Sequence, residues 1–131
     1  MAESEETQTT RFLSIYLADE SKFQGPPSPE HVAEMGKLIE KSMKAGTLVD
    51  TGGVSNPKRT IRVRRKGGKV SVTDGPFTES KELVAGYAIL EATSREHAIE
   101  LLSEFLGVIG EGATELHELY SEPPGVPPQR S

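Results

Sequence analysis

The chain contains no cysteine and no tryptophan. The first absence excludes disulfide scaffolding, thiolate catalysis and sulfur-ligated zinc. The second, with only four phenylalanines and three tyrosines, leaves the core to Val, Leu, Ile, Met and Ala. Long apolar runs are missing too: no window approaches the ~18 residues that a membrane-spanning helix needs. Met1–Thr10 is polar and acidic rather than a basic stretch leading into an apolar one, so it does not read as a secretory signal. A cytoplasmic protein with no membrane partner is the expectation. Nucleophile elbow, phosphate loop and dinucleotide fingerprint are all absent, Gly110-Glu111-Gly112 being too short to count as one. The three histidines, His31, His97 and His117, stand at no metal-site spacing, so neither cofactor nor metal is expected. A net charge of −5 opposes a nucleic-acid partner.

What is present fits one domain, since 131 residues is close to the common domain size. Arg11–Leu17 reads as a strand. Ser28 then offers an N-cap, Pro29 suits the first helical position, and Glu30 complements the helix dipole. Val32, Met35, Ile39 and Met43 recur at helical spacing, and Gly46 supplies a stop. Leu48 and Val49 begin a short strand running into Gly52-Gly53. Ile61 to Thr73 is a hairpin, alternating on both arms and turning at Lys66-Gly67-Gly68. Leu83–Glu91 is a further strand, and Thr93 with Glu96 makes a capping-box pattern before a helix with Ala98, Leu101, Leu102 and Phe105 on one face. Ala113–Tyr120 is the last strand, and residues 121–131, with four prolines, read as disordered. The expected division is a flexible tail over 1–10, a domain over 11–120 and a Pro-rich tail over 121–131.

Two helices on one face of a mainly antiparallel sheet, with an extra hairpin, make an α+β, ferredoxin-like plait. In Leu83–Glu91 one side carries Leu83, Ala85, Tyr87 and Ile89, the other Val84, Gly86, Ala88 and Leu90. Arg11–Leu17 is apolar on both sides as well. Such strands need cover on both faces, and two helices supply one. The second face calls for another subunit, so a homodimer by sheet-to-sheet packing is expected.

Asp74-Gly75-Pro76-Phe77-Thr78-Glu79-Ser80-Lys81-Glu82 is the most distinctive segment. Asp usually caps a turn by accepting the N–H two residues on, but Pro76 has none. Phe77 reads as a plug for the loop, and Glu79, Lys81 and Glu82 gather where the next strand begins. The loop closely resembles the signature of the DGPF group within the YCII-related (YciI-like) family, and the resemblance runs from about Phe12 to about Tyr120. It implies a ferredoxin-like fold, commonly dimeric, in a dimeric α/β-barrel-like assembly. It assigns no substrate. One branch of the superfamily includes a dehydrochlorinase, so elimination chemistry is compatible with the scaffold; members are also often encoded beside extracytoplasmic-function sigma factors.

Two readings of function follow. In the first the protein is a cofactor-independent acid–base enzyme acting on a small polar or aromatic molecule. Ser28-Pro29-Glu30-His31-Val32-Ala33 is similar to the helix start that carries the histidine of a His–Asp dyad in the YciI branch. The resemblance thus makes His31 the proton carrier, with Asp50 as its partner and Asp74 as second choice. A helix N-terminus keeps imidazole neutral, as a base requires. The substrate-binding candidates are Arg62 and Arg64 for an anionic group, with Phe77, Glu79 and Lys81 from the loop. In the second reading the protein is a non-catalytic ligand-binding or regulatory module, His31 is a solvated helix-start residue and the loop a rigid turn. Seven cations within residues 58–69 then form the solvated face of an edge hairpin. His97 reads as surface, and His117 as a structural residue or a lining of the dimer interface.

Overall fold

A computed structural model of the chain describes residues 8–19, 27–75, 77 and 82–120. Both terminal tails, except Gln8 to Thr10, lie outside the described residues. The elements run β1 (Thr10–Asp19), α1 (Pro29–Ala45), β2 (Leu48–Gly53), β3 (Ile61–Lys66), β4 (Lys69–Asp74), β5 (Glu82–Ala92), α2 (Arg95–Ile109) and β6 (Ala113–Glu118). Four strands form one sheet in the order β2-β5-β1-β6, every neighbouring pair antiparallel. The hairpin β3-β4 forms a separate two-stranded sheet. The architecture is mixed α+β, with a strand order compatible with a ferredoxin-like plait. Among the described residues no helix is long and apolar enough to cross a membrane.

Local chemistry sets the ends of α1 as the sequence indicates. The Ser28 hydroxyl accepts the His31 N–H at 3.1 Å, Pro29 opens the helix, and Gly46 closes it with φ of 80°. The buried stripe is different from the expected one. Leu38 and Ser42 are buried and Met35 and Ile39 pack beside them, whereas Val32 and Met43 are exposed. At ~100° per residue, positions 35, 38, 39 and 42 share one face, and 32 and 43 fall on its flank. By the same rotation His31 belongs to the inward face, and it is half-buried.

The N-cap of α2 is also corrected. Ser94, not Thr93, accepts the His97 N–H, at 3.0 Å. His97 does more than sit at the surface: its Nδ1 accepts the Thr93 backbone N–H at 2.9 Å. That closes the capping exchange expected of Glu96, and it places any ring N–H of neutral His97 on Nε2. The expected inward face of α2 holds, with Ala98, Leu102 and Phe105 buried.

Phe12, Leu48, Ala88, Leu90 and Ala92 from the sheet pack against Leu38 and against Ala98, Leu102 and Phe105 of α2 to form the core. The even-numbered residues of β5 from Gly86 to Ala92 therefore face the helices, and Tyr87, Ile89 and Glu91 face away. On β1, Leu13 and Ile15 share that opposite, open face; a register shift at Tyr16/Leu17 ends the simple alternation. The hairpin turn uses Gly67 and Gly68 at φ of 60° and 79°, as a two-residue turn of this hand requires. All twelve hairpin residues are exposed.

Candidate functional site

A cavity of about 340 Å³ lies between the helices and the sheet. Met35 and Ile39 of α1 and Leu102, Phe105 and Ile109 of α2 form its apolar wall. The sheet contributes Ser14, Thr51, Gly86, Ala88 and Thr114. Gly86 makes the wall thin because nothing larger fits there: a Cβ would stand 2.9 Å from the Gly52 carbonyl oxygen, a backbone atom of the next strand. Ser14 is 3% exposed, and its hydroxyl makes no hydrogen bond among the described residues. No side-chain polar atom among those residues is sealed away without a partner, so the small exposed area of Ser14 is where it meets the cavity. A hydroxyl at such a position normally has a partner, and here it is available to a molecule in the cavity. Thr51 is already engaged, donating to the Tyr87 carbonyl at 2.7 Å. Tyr16 closes one end; its hydroxyl donates to the Glu111 carbonyl at 3.0 Å, and its ring lies where a side chain at Gly112 would stand. Burial raises the Tyr16 phenol above its usual pKa, and the charge of Asp19 adds to this. Apolar walls with a few fixed polar groups are the usual makeup of a small-molecule site.

His31 is half-buried and precedes Met35 by one helical turn on the inward face of α1, and it is not among the residues that line the cavity. The side chain makes no hydrogen bond or ion pair among the described residues. Asp50 lies elsewhere. It pairs with Ile89 across β2-β5, on the open face, while its neighbour Thr51 pairs with Ala88 on the helix side. Asp50 Oδ1 accepts the Thr51 N–H and Oδ2 accepts the Tyr87 hydroxyl, each at 2.9 Å. This hydrogen bond chiefly, with burial and the carboxylate charge adding, raises the Tyr87 phenol pKa. The sheet thus separates Asp50 from the helix that carries His31, and no hydrogen bond joins the two.

Asp74 ends β4 opposite Ile61 and lines a second, open groove of about 610 Å³ with Asn56 and Arg59. Its neighbour Gly75 is tied to the hairpin base, its N–H donating to the Thr60 carbonyl at 2.6 Å. Phe77 is half-buried, and the Arg62 guanidinium stacks over its ring at 3.8 Å. Arg64 shares the hairpin face of Arg62, pointing to solvent. Glu79 and Lys81 lie outside the described residues. The proposed site residues therefore fall into three places: His31 near the start of α1 on its inward face, Asp50 on the open sheet face, and Asp74, Arg62, Arg64 and Phe77 at the hairpin base and arm.

Sequence reasoning missed Ser14, Thr51, Thr114 and Tyr87. For Ser14 a signal existed: it interrupts Phe12 and Tyr16 on the inward side of a strand otherwise apolar there. For Tyr87 nothing local marks a partner 37 residues away. Among known families, the YCII-related domain matches residues 11–105. No curated protein matches the chain.

Proposed function

Taking as premise that this chain belongs to the YCII-related family, we propose that it is a small-molecule-binding protein whose site is the cavity between the helices and the sheet. The Asp74-Gly75-Pro76-Phe77 sequence supports placing it in the DGPF group. The observation that carries the reading is the Ser14 hydroxyl, which has no hydrogen-bond partner among the described residues and sits on a nearly buried residue in a largely apolar recess. It favours a compact, largely apolar or aromatic ligand bearing one hydroxyl or carbonyl group, since covering a polar group without giving it a partner costs ~1–3 kcal/mol. The protein works as a cytoplasmic homodimer, with the open sheet face covered by a second copy; apolar Leu13, Ile15 and Ile89 support this. Two stacked sheets of this kind would give the dimeric α/β-barrel-like assembly.

The test is an amide-resolved NMR titration with phenol, p-cresol and benzoate as probes. Saturable shifts at Ser14, Thr51, Ala88 and Thr114 support the site, and Ser14→Ala should weaken the phenols. Shifts confined to the groove at Asp74, or none at all, would reject it.

A second reading makes the same cavity an acid–base site, and half-buried His31, one helical turn before the lining residue Met35, is the observation that favours it. His31 would exchange a proton with the ligand, and Arg62 or Arg64 would attract an anionic group toward the molecule. The hydrogen bonds favour binding over a His31–Asp50 dyad, because Tyr87 holds the carboxylate on the far side of the sheet. Phenol saturation that moves the His31 ring resonances supports the acid–base version; unmoved resonances leave the regulatory module as the reading to pursue.

A further inference from the structure

The open face of the sheet carries an ordered pattern. One row across the strands reads Asp50 on β2, Ile89 on β5, Leu13 on β1 and His117 on β6. The next reads Gly52, Tyr87, Ile15 and Glu115. Each row has apolar or aromatic residues in the middle. One edge carries a carboxylate, and the opposite edge carries an imidazole with Glu115 close by, its Oε1 4.0 Å from His117 Nε2.

Two copies stacked face to face by a two-fold axis have two aligned choices. If the axis runs across the strands, each strand lies over its own counterpart. That sets the β2 edge with Asp50 against another β2 edge, and Glu115 against another β6 edge. If the axis runs along the strands, between β5 and β1, the strand order reverses while height along the strands is kept. Ile89 then meets the partner's Leu13, Tyr87 meets the partner's Ile15, and Asp50 meets the partner's His117. Both arrangements set apolar centre on apolar centre, but only the second brings Asp50 to an imidazole and does so at both edges. Sheets packed this way stand ~10 Å apart, a gap that an Asp and a His side chain span together.

We propose that the homodimer forms with its two-fold axis along the strands, so that each Asp50, already holding the Tyr87 hydroxyl, takes the partner's His117 as its imidazole partner. The inference rests on the homodimer reading above. It gives Asp50 a histidine other than His31, and it builds two identical Tyr87–Asp50–His117 sites to which both copies contribute. The carboxylate has capacity for it, since each oxygen accepts one hydrogen bond within its own chain. The charged groups facing the pair are Asp50 from β2 and Glu115 from β6, and the Arg11–Glu91 ion pair lies one row away on the same face.

The lack of native cysteine makes the test direct. Asp50→Cys and His117→Cys proteins are prepared separately, treated with a short bis-maleimide alone or after mixing, and run on denaturing gels. A species of twice 14.2 kDa is expected from the mixture and from neither variant alone. Ile89→Cys mixed with Leu13→Cys should cross-link as well, and being next to the axis each of these can also join its own counterpart. Cross-linking of Asp50→Cys with itself would overturn the proposal in favour of the crossed axis. No cross-link in either mixture, with wild type still sedimenting as a dimer, would overturn it while leaving the homodimer standing. A wild-type monomer would remove both.

Discussion

Leu90 and Ile89 are neighbours on one strand with opposite fates. Leu90 is 1% exposed beneath the helices, whereas Ile89 is half-buried on a face that no described element covers. Their side chains are isomers, so the difference lies in what the chain supplies to each side. A strand apolar on both sides needs two covers, and the two helices reach only one. The same contrast separates polar residues. On the covered side Ser14 and Thr114 open into a cavity. On the open side Asp50 and His117 stand at opposite edges, and a second copy is what would bring such edges together.

Substitutions can break this comparison at graded cost. The largest effect is expected for Leu90→Ala, which should lower unfolding free energy by about 2–5 kcal/mol in urea titrations; a loss no greater than that of Ile89→Ala at high dilution would erase the difference between the faces. Ile89→Asp should leave the monomer folded by circular dichroism yet weaken self-association ~10-fold or more, a shift of about 1.4 kcal/mol. Gly86→Ala, which drives a Cβ against the backbone of β2, should destabilise by about 1–3 kcal/mol and shrink the cavity, read as reduced probe binding. Val63→Thr on the exposed hairpin should stay within about 0.5 kcal/mol of wild type, setting the baseline for an apolar residue without a cover.

A small, pH-dependent effect concerns Glu91 on the open face. Burial alone would raise its pKa, but hydrogen bonds from Thr9 and Arg11 and the Arg11 charge outweigh that and lower it below the usual 4.5. A depressed carboxylate contributes stability above its unfolded pKa and loses it as pH falls through the folded value. Glu91→Gln should therefore cost under about 1 kcal/mol near neutrality, given solvent screening of a partly exposed pair. Thermal melts of wild type and variant should converge below pH 4.5; a constant gap at all pH would show that the charge is not responsible.

Much of this fold is legible in local signals. Ser28, Pro29, Gly46 and the Gly67-Gly68 turn act within a few residues of themselves, and each behaves as its chemistry dictates. The two-sided apolar pattern of β5 was readable too, because alternation is a property of one strand. What escaped depends on separated segments. Leu38 joins the core because the stripe through 35, 38, 39 and 42, rather than the one through Val32 and Met43, is the side of α1 that packs inward, and that choice is set by what the helix meets. Ser94 competes with Thr93 for the same helix end, and the outcome turns on the His97 ring reaching back to Thr93. The site is less legible than the fold, since the Asp50–Tyr87 bond and the cavity arise from strands far apart in sequence.

The most direct measurement of one sheet with two different covers is sedimentation equilibrium of the wild-type chain at micromolar concentration. The account predicts a single species of twice 14.2 kDa, converted to the monomer mass by Ile89→Asp. A wild-type monomer at that concentration would contradict it.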